Sequence, residues 1–150
     1  MTDRALNGEP CVQLGRRYHF SASHRLHSPR LSEEENFRVY GKCNNPHGHG
    51  HNYTLEVRLS GAIDPATGMV AHLADLDAFV NEHVISPFDH RSLQDEVAAF
   101  AQTVPTTENL CVEIFLRLRL YPKAKLEAVR IEETSNNSFE YAGNNQGMTP

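Results

Sequence analysis

The stretch Cys43-Asn44-Asn45-Pro46-His47-Gly48-His49-Gly50-His51-Asn52-Tyr53 places one thiol and three imidazoles within nine residues. An alternating apolar run follows it, and on a β-strand the side chains at i and i+2 point to the same face. If a strand begins at His49, the rings of His49 and His51 project side by side. Neutral imidazole is the commonest metal ligand in proteins, so the pattern predicts a metal site at a strand start. The alternative is a histidine-rich surface turn that binds nothing.

A catalytic zinc needs a third protein ligand, because such sites hold three side chains and a water. His24 is the strongest candidate, since it continues the face of Phe20 and Ala22 at the end of a strand predicted over residues 11–23. His47, inside the turn, is a weaker candidate. Three histidines with an open fourth position describe a catalytic Zn²⁺ site. Addition of the neighbouring cysteine would close it as a structural site, and both alternatives stay open.

A second group of residues is suited to proton transfer. Cys43 lies in a polar loop beside Lys42 and close to the proposed cation, and positive neighbours favour the thiolate. A thiolate can act as a base or as a nucleophile. The adjacent Asp89 and His90 fit a relay in which a carboxylate orients an imidazole that exchanges a proton with a thiol. Such a pair in a loop is equally often without function.

Glu133 is a candidate binding residue. Strand parity places it on the face of Val129 and Ile131, towards the interior, where a carboxylate is costly without hydrogen-bond donors. A 2-amino-4-oxo heterocycle such as a pterin offers two adjacent N–H donors to one carboxylate. Thr106, Thr107 and the free N–H groups at a helix start are placed to serve the same ring. The alternative is a strand-end glutamate in water.

The hydrophobic pattern predicts an α+β fold with helices on one face of a sheet, because two strands precede two helices and a further strand follows. Residues 25–46 are expected to form a long loop. The predicted strands cover residues 11–23, 51–59, 69–71, 126–133 and 139–141, and the predicted helices run from Leu73 to Ser86-Pro87 and from an N-cap at Thr106 to Tyr121-Pro122.

The 150 residues predict one domain, with residues 1–10 and 143–150 expected to be flexible. The net charge of −5 argues against a general nucleic-acid binder. No apolar run approaches the ~20 residues of a membrane span. The first ten residues lack the apolar core of a secretory signal. Three widely spaced cysteines fit a reducing cytoplasm rather than a disulfide framework.

A linked set of motifs resembles the 6-pyruvoyl tetrahydropterin synthase family over about residues 12–142. The set consists of Phe20-Ser21-Ala22-Ser23-His24-Arg25-Leu26, Gly41-Lys42-Cys43-Asn44-Asn45-Pro46, Gly48-His49-Gly50-His51-Asn52-Tyr53, Leu76-Asp77, Phe88-Asp89-His90, Thr106-Thr107-Glu108-Asn109 and Glu133-Thr134. The resemblance implies the T-fold, an antiparallel four-stranded sheet carrying two helices on one face. It also implies trimers that stack into a homohexamer, with active sites between subunits.

The resemblance further implies a zinc-dependent lyase that converts 7,8-dihydroneopterin triphosphate to 6-pyruvoyl-tetrahydropterin and releases triphosphate. Mg²⁺ is an optional companion of the triphosphate. The roles implied are zinc binding by His24, His49 and His51, proton abstraction by Cys43 with Asp89 and His90 as its relay, pterin anchoring by Glu133 with Thr107, and phosphate contact by Lys42 and Arg25.

Two alternatives remain at the level of sequence. The 6-carboxytetrahydropterin synthases of queuosine biosynthesis use the same site on the same substrate, usually with a shorter thiol-to-histidine spacing than that between Cys43 and His49. This spacing favours the pyruvoyl enzymes. The other alternative is a non-catalytic binding module stabilised by zinc, in which Cys43 is a fourth ligand. His47 departs from the asparagine often found there, which leaves its role open.

Overall fold

The computed structural model describes residues 8–144 and contains one five-stranded sheet. Its strand order is β3-β1-β2-β4-β5, in which the four longer strands run antiparallel to their neighbours. The predicted four-stranded antiparallel sheet is therefore confirmed, and the two-residue strand β3 adds a parallel edge beside β1. The strands are β1 (Cys11–His24), β2 (His49–Ala62), β3 (Arg91–Ser92), β4 (Lys125–Thr134) and β5 (Asn137–Tyr141).

The α-helices are α1 (Glu33–Tyr40), α2 (Leu73–Val80), α3 (Ser86–Phe88), α4 (Leu93–Glu96) and α5 (Thr107–Leu118). A 3₁₀ turn over Gly41–Asn44 follows α1, and a π-helical turn over Asn81–Ile85 joins α2 to α3. A further 3₁₀ turn covers Ala98–Phe100. Within residues 8–144, every helix is too short or too polar to cross a lipid bilayer.

One face of the sheet forms the core. Phe20 of β1 lies opposite Tyr53 of β2, and their rings stack at a centroid distance of 5.1 Å. Both predicted helices pack on this face, because α2 and α5 each contribute fully buried side chains to the same cluster as the strands. The helix contributions are Leu76, Val80, Leu110, Ile114 and Leu118.

The prediction of a long loop over residues 25–46 was wrong, because α1 lies within it. Ser32 and Glu35 form a capping box, in which each side chain accepts a hydrogen bond from the other residue's backbone N–H. The acidic run Glu33-Glu34-Glu35 occupies the first turn of α1, where the helix dipole favours negative charge. The 3₁₀ turn that contains Cys43 follows directly after this helix.

One predicted helix end and one predicted strand also differ from the structure. The helical path that begins at Leu73 continues past Ser86 to Phe88, because Pro87 sits in the first turn of α3, where its missing N–H costs nothing. Residues 69–71 form no strand.

The Thr106 N-cap is confirmed, since its hydroxyl accepts from the N–H of Asn109. Most of the segments expected to be flexible, 1–10 and 143–150, lies outside the described residues.

Candidate metal and pterin site

Three histidine side chains converge at one end of the sheet. His24 and His49 are cross-strand partners at the end of β1 and the start of β2, and His51 follows on the same face of β2. Their ligand atoms all lie within 4.8 Å of one another. The Nε2 atoms of His24 and His49 are 3.0 Å apart. The predicted trio is thus brought together by strand parity and register.

A backbone carbonyl fixes the tautomer of His24. The Nδ1 atom of His24 lies 2.8 Å from the carbonyl oxygen of Pro105. A carbonyl can only accept, so Nδ1 carries the proton and Nε2 presents its lone pair to the other two rings. Nothing in the sequence signalled this contact, because every residue carries a carbonyl.

The pKa values and the burial of the three histidines are suited to binding a cation. Burial lowers the pKa of His24 and of His49, and the neighbouring imidazoles lower it further, although Pro105 and Glu133 act in the opposite direction on His24. The lowered pKa values favour the neutral rings of His24 and His49 at pH 7, the form that metal ligation requires. The Nε2 atom of His51 is buried without a hydrogen-bond partner among the described residues, which is costly unless a ligand occupies the space.

This donor set fits zinc. Two nitrogen ligands of a tetrahedral Zn²⁺ are separated by about 3.3 Å, because each Zn–N bond is about 2.0–2.1 Å long. The 3.0 Å between His24 and His49 is close to that value. Three imidazoles with no fourth protein ligand in the group, among the described residues, are typical of a catalytic site.

Glu133 lies beside the histidines. Its Oε1 atom is 3.7 Å from Nε2 of His24 and 3.6 Å from Nε2 of His51. The hydroxyl of Thr107 donates to Oε1 at 2.6 Å, and the amide of Asn137 donates to Oε2 at 2.9 Å. Burial raises the pKa of Glu133, but these donors and the two histidines outweigh it and hold the pKa below its ordinary value.

Sequence reasoning missed Asn137. The β4–β5 hairpin brings it back beside Glu133, and the signal available was the turn-forming Ser135-Asn136 pair between two alternating runs. Thr106, the other predicted binding residue, serves here as the N-cap of α5.

Cys43 is half-buried in the 3₁₀ turn after α1, with the exposed Lys42 next to it. It is not a member of the three-histidine group. Its Sγ atom makes no hydrogen bond within the described part of the chain. This geometry argues against the closed four-ligand structural site that sequence left open.

Asp89 and His90 are anchored to β1 at Ser21. Asp89 Oδ1 accepts from the Ser21 N–H at 2.8 Å, and the His90 N–H donates to the Ser21 carbonyl at 2.6 Å. The Ser21 N–H and the adjoining His90 lower the pKa of Asp89. His90 Nδ1 lies 3.0 Å from Asp89 Oδ2, and its backbone φ of 58° is a left-handed conformation, which is uncommon for a non-glycine residue although histidine adopts it more often than most.

Among residues 8–144, the Asp89–His90 pair makes no hydrogen bond or ion pair with the histidine trio. His90 lines a cleft of about 480 Å³ together with Ser21, Ser23, Asn52 and one member of the trio, His51. Ser21, Ser23 and Asn52 alternate with His24 and His51, so their side chains occupy the opposite face of the sheet. No hydrogen bond or ion pair joins His90 to Cys43 among residues 8–144.

Comparisons with known proteins agree with this geometry. The family model described as 6-pyruvoyl tetrahydropterin synthase matches residues 13–144. The human protein named 6-pyruvoyl tetrahydrobiopterin synthase is 50% identical over 138 residues, which cover 91% of this chain and 95% of the human one. The structure of Caenorhabditis elegans 6-pyruvoyl tetrahydropterin synthase superposes with a TM-score of 0.87 at 44% identity, covering 91% of this chain and 98% of that one.

A relative with a different name matches less of the chain. The putative 6-carboxy-5,6,7,8-tetrahydropterin synthase of Archaeoglobus fulgidus is 41% identical over 70 residues, which is 47% of this chain and 55% of that protein.

The antiparallel sheet with two helices on one face, and three histidines converging at its end, define an α+β protein of the T-fold with a candidate metal site. The chain belongs to the 6-pyruvoyl tetrahydropterin synthase family.

Proposed function

We propose that this protein is a zinc-dependent lyase that converts 7,8-dihydroneopterin triphosphate to 6-pyruvoyl-tetrahydropterin and triphosphate. The observation that carries the proposal is the position of Glu133, whose carboxylate lies within 3.7 Å of two of the three clustered imidazoles. A pterin held at this carboxylate has its side chain beside the metal site. Family membership supports the substrate class.

His24, His49 and His51 would hold the zinc. Bound zinc would polarise the side-chain oxygens of the substrate and lower the cost of removing a carbon-bound proton. The lowered pKa values of His24 and His49, and a group of three histidines with no fourth ligand among the described residues, favour this use over a structural one.

Glu133 and Thr107 would anchor the pterin ring. The lowered pKa keeps Glu133 ionised at neutral pH, so both of its oxygens accept hydrogen bonds. Thr107 and Asn137 use one acceptor position on each oxygen. The remaining lone pairs match the adjacent ring and amino N–H groups of a pterin.

Cys43 would act as the base that removes a proton from the substrate side chain. The electron pair of that C–H bond moves into the ring system, which is reduced internally. A second proton is then lost from the carbon next to the one that carries the triphosphate, and its electron pair forms a C=C bond as the C–O bond breaks. Triphosphate leaves with the electrons of that C–O bond, and the enol that remains gains a proton on carbon to become the second carbonyl of the product. No outside oxidant is needed, because the side chain is oxidised as the ring is reduced. Lys42, exposed beside Cys43, is proposed to meet the triphosphate and any accompanying Mg²⁺.

The relay to Cys43 would come from another subunit. Neither Asp89 nor His90 makes a hydrogen bond or ion pair with Cys43 of its own chain among residues 8–144, so a neighbouring copy is the proposed source of the relay for each site. This supports a homohexamer, a dimer of trimers, with active sites between subunits. The three cysteines are free in the structure, in keeping with a single cytoplasmic domain.

The 6-carboxytetrahydropterin synthase reaction is the second candidate. By the family resemblance, this reaction uses the same residues on the same substrate. The partial match to a relative of that name supports it as the alternative. The long spacing between Cys43 and His49 and the higher sequence identity and coverage of the pyruvoyl-named relatives favour the first proposal.

The role of Cys43 is tested with Cys43→Ala and the matched control Cys11→Ala, which removes an exposed thiol at the start of β1. Cys43→Ala is expected to retain zinc and fold but to release no triphosphate, whereas Cys11→Ala turns over normally. Normal turnover by Cys43→Ala would end the base assignment. Loss of zinc from Cys43→Ala would instead support the non-catalytic module in which the thiol is a ligand.

A further inference from the structure

The residue after the thiol, Asn44, is buried, and its side-chain amide nitrogen is hydrogen-bonded. Asn44 is 7% exposed, although it is polar and lies in a surface turn. Its Nδ2 group donates to the carbonyl of Leu26 at 2.8 Å and lies 3.1 Å from Nδ1 of His27. Both N–H bonds of the amide are therefore used on the chain that leaves the metal ligand His24.

Backbone contacts join the same two segments. The N–H of Leu26 donates to the carbonyl of Cys43 at 2.9 Å. The Nε–H of Arg25 donates to the carbonyl of Asn44 at 3.0 Å. Four hydrogen bonds thus connect residues 25–27 to residues 43–44.

The segment that leads from Cys43 to His49 also lies against the end of β1. Gly48 has a φ of +70°, and a Cβ there would lie 3.0 Å from the carbonyl oxygen of His24. Only glycine fits this close approach without movement of the backbone. The chain on both sides of Cys43 is consequently held against the exit of β1.

The Sγ atom of Cys43 makes no hydrogen bond in the described part of the chain, so its position depends on the backbone that carries it. We propose that Asn44 is a positioning residue for Cys43. Its carboxamide ties the 3₁₀ turn to Leu26 and His27, and so fixes the sulfur relative to the metal ligand His24. The inference rests on the proposed role of Cys43 as the base.

The need for such a clamp follows from the chemistry. Proton removal from carbon requires the base to lie within about 3–3.5 Å of its target, and a displacement of about 1 Å can cost about 100-fold in rate. A turn of four residues between a helix and a strand has little intrinsic rigidity. The hydrogen bonds of the Asn44 side chain supply that rigidity.

The test compares Asn44→Ala with a matched pair at its partner, His27→Ala and His27→Asn. Asparagine at position 27 offers an oxygen acceptor where histidine offers Nδ1, so His27→Asn retains the contact that His27→Ala removes. For Asn44→Ala we expect kcat to fall about 10- to 100-fold with KM and zinc content unchanged. His27→Ala should show a smaller fall in kcat, and His27→Asn should restore it.

The reactivity of Cys43 towards an alkylating reagent does not depend on turnover. It therefore tests the positioning role of Asn44 separately from the role of Cys43 as the base. In a Cys11→Ala background, the rate at which iodoacetamide alkylates Cys43 should rise about threefold or more in Asn44→Ala, because the loosened turn opens more readily. An unchanged alkylation rate with unchanged kcat would overturn the positioning role. Loss of zinc or a rise in KM that accounts for the whole defect would also overturn it. If Cys43→Ala keeps turnover, the base assignment fails whatever the alkylation result.

Discussion

The Nδ1–H of His24 donates to the carbonyl oxygen of Pro105 at 2.8 Å, which turns the lone pair of Nε2 towards the other two histidines. The contact joins the last residue of β1 to the segment just before α5, the helix that also presents Thr107 to Glu133. The proposed metal ligands and pterin anchor are thus positioned by the same loop. Changes in this loop should affect both functions together.

Zinc binding is expected to depend on His49 and not on the neighbouring His47. Removal of one ligand by His49→Ala should weaken zinc binding by more than the ~10–100-fold typical of outer-shell changes. His47→Ala is the matched control, because His47 is exposed and lies outside the three-histidine group. Metal analysis after dialysis against a graded chelator series measures both. Equal loss of zinc from the two variants would contradict the assignment.

The hydroxyl of Thr107 is expected to contribute to pterin binding through Glu133. Thr107→Val keeps the shape of this buried side chain but removes the donor 2.6 Å from Oε1. Hydrogen bonds to charged groups contribute about 1.5–3 kcal/mol, so KM should rise about tenfold or more. Thr107→Ser retains the donor and should remain within about threefold of the parent KM. Steady-state kinetics of the two variants, compared at equal zinc content, decide whether the hydroxyl or the packing matters.

Active sites shared between subunits should show complementation. Cys43→Ala and His90→Ala are each expected to be inactive alone. In mixed oligomers formed by co-refolding, one site in about four would combine an intact Cys43 with an intact His90 from a neighbour, so about a quarter of the activity should return. Mixtures prepared without subunit exchange serve as the control. Absence of recovery despite proven mixing would place both residues of a site in one chain.

The ion pair between Arg16 and Asp77 predicts a pH dependence of stability. The two hydrogen bonds from Arg16, at 2.6 and 2.7 Å, and one from Tyr18 hold the pKa of Asp77 below its ordinary value of 3.8, against a smaller opposing effect of burial. Because the folded-state pKa is lowered, the carboxylate stabilises the fold above pH 3.8, and this is lost as pH falls through the lowered pKa.

The measurement compares Asp77→Asn with the parent protein in urea at several pH values, with zinc removed from both. The parent should be more stable at pH 7, and the difference in free energy of unfolding should narrow below pH 3.8. A difference that stays constant over this range would show that the charge of Asp77 does not contribute.

The histidine trio was predictable because it depends on strand parity alone. His49 and His51 share a face whatever the rest of the chain does, and His24 needed only the alternation of β1 to reach it. Glu133 followed from the same rule on β4. The two helices were predictable from their apolar spacing, and the Thr106 N-cap from its residue type.

Other features depend on contacts between distant segments, which local pattern does not encode. The helix α1 was missed because its apolar face is small and two of its large side chains, Phe37 and Val39, are exposed. The Pro105 carbonyl has no signature in sequence. The contacts that hold Asp89 and His90 to Ser21 of β1 likewise have no signature in the sequence.

The central claim is tested most directly by incubating the zinc-loaded protein with 7,8-dihydroneopterin triphosphate and identifying the products by mass spectrometry. The account predicts 6-pyruvoyl-tetrahydropterin and triphosphate in equal amounts, with no turnover after zinc removal and recovery on its return. A 6-carboxy product would show that the protein catalyses the 6-carboxytetrahydropterin synthase reaction instead. Zinc-loaded protein that leaves the substrate unchanged would contradict the enzymatic assignment altogether.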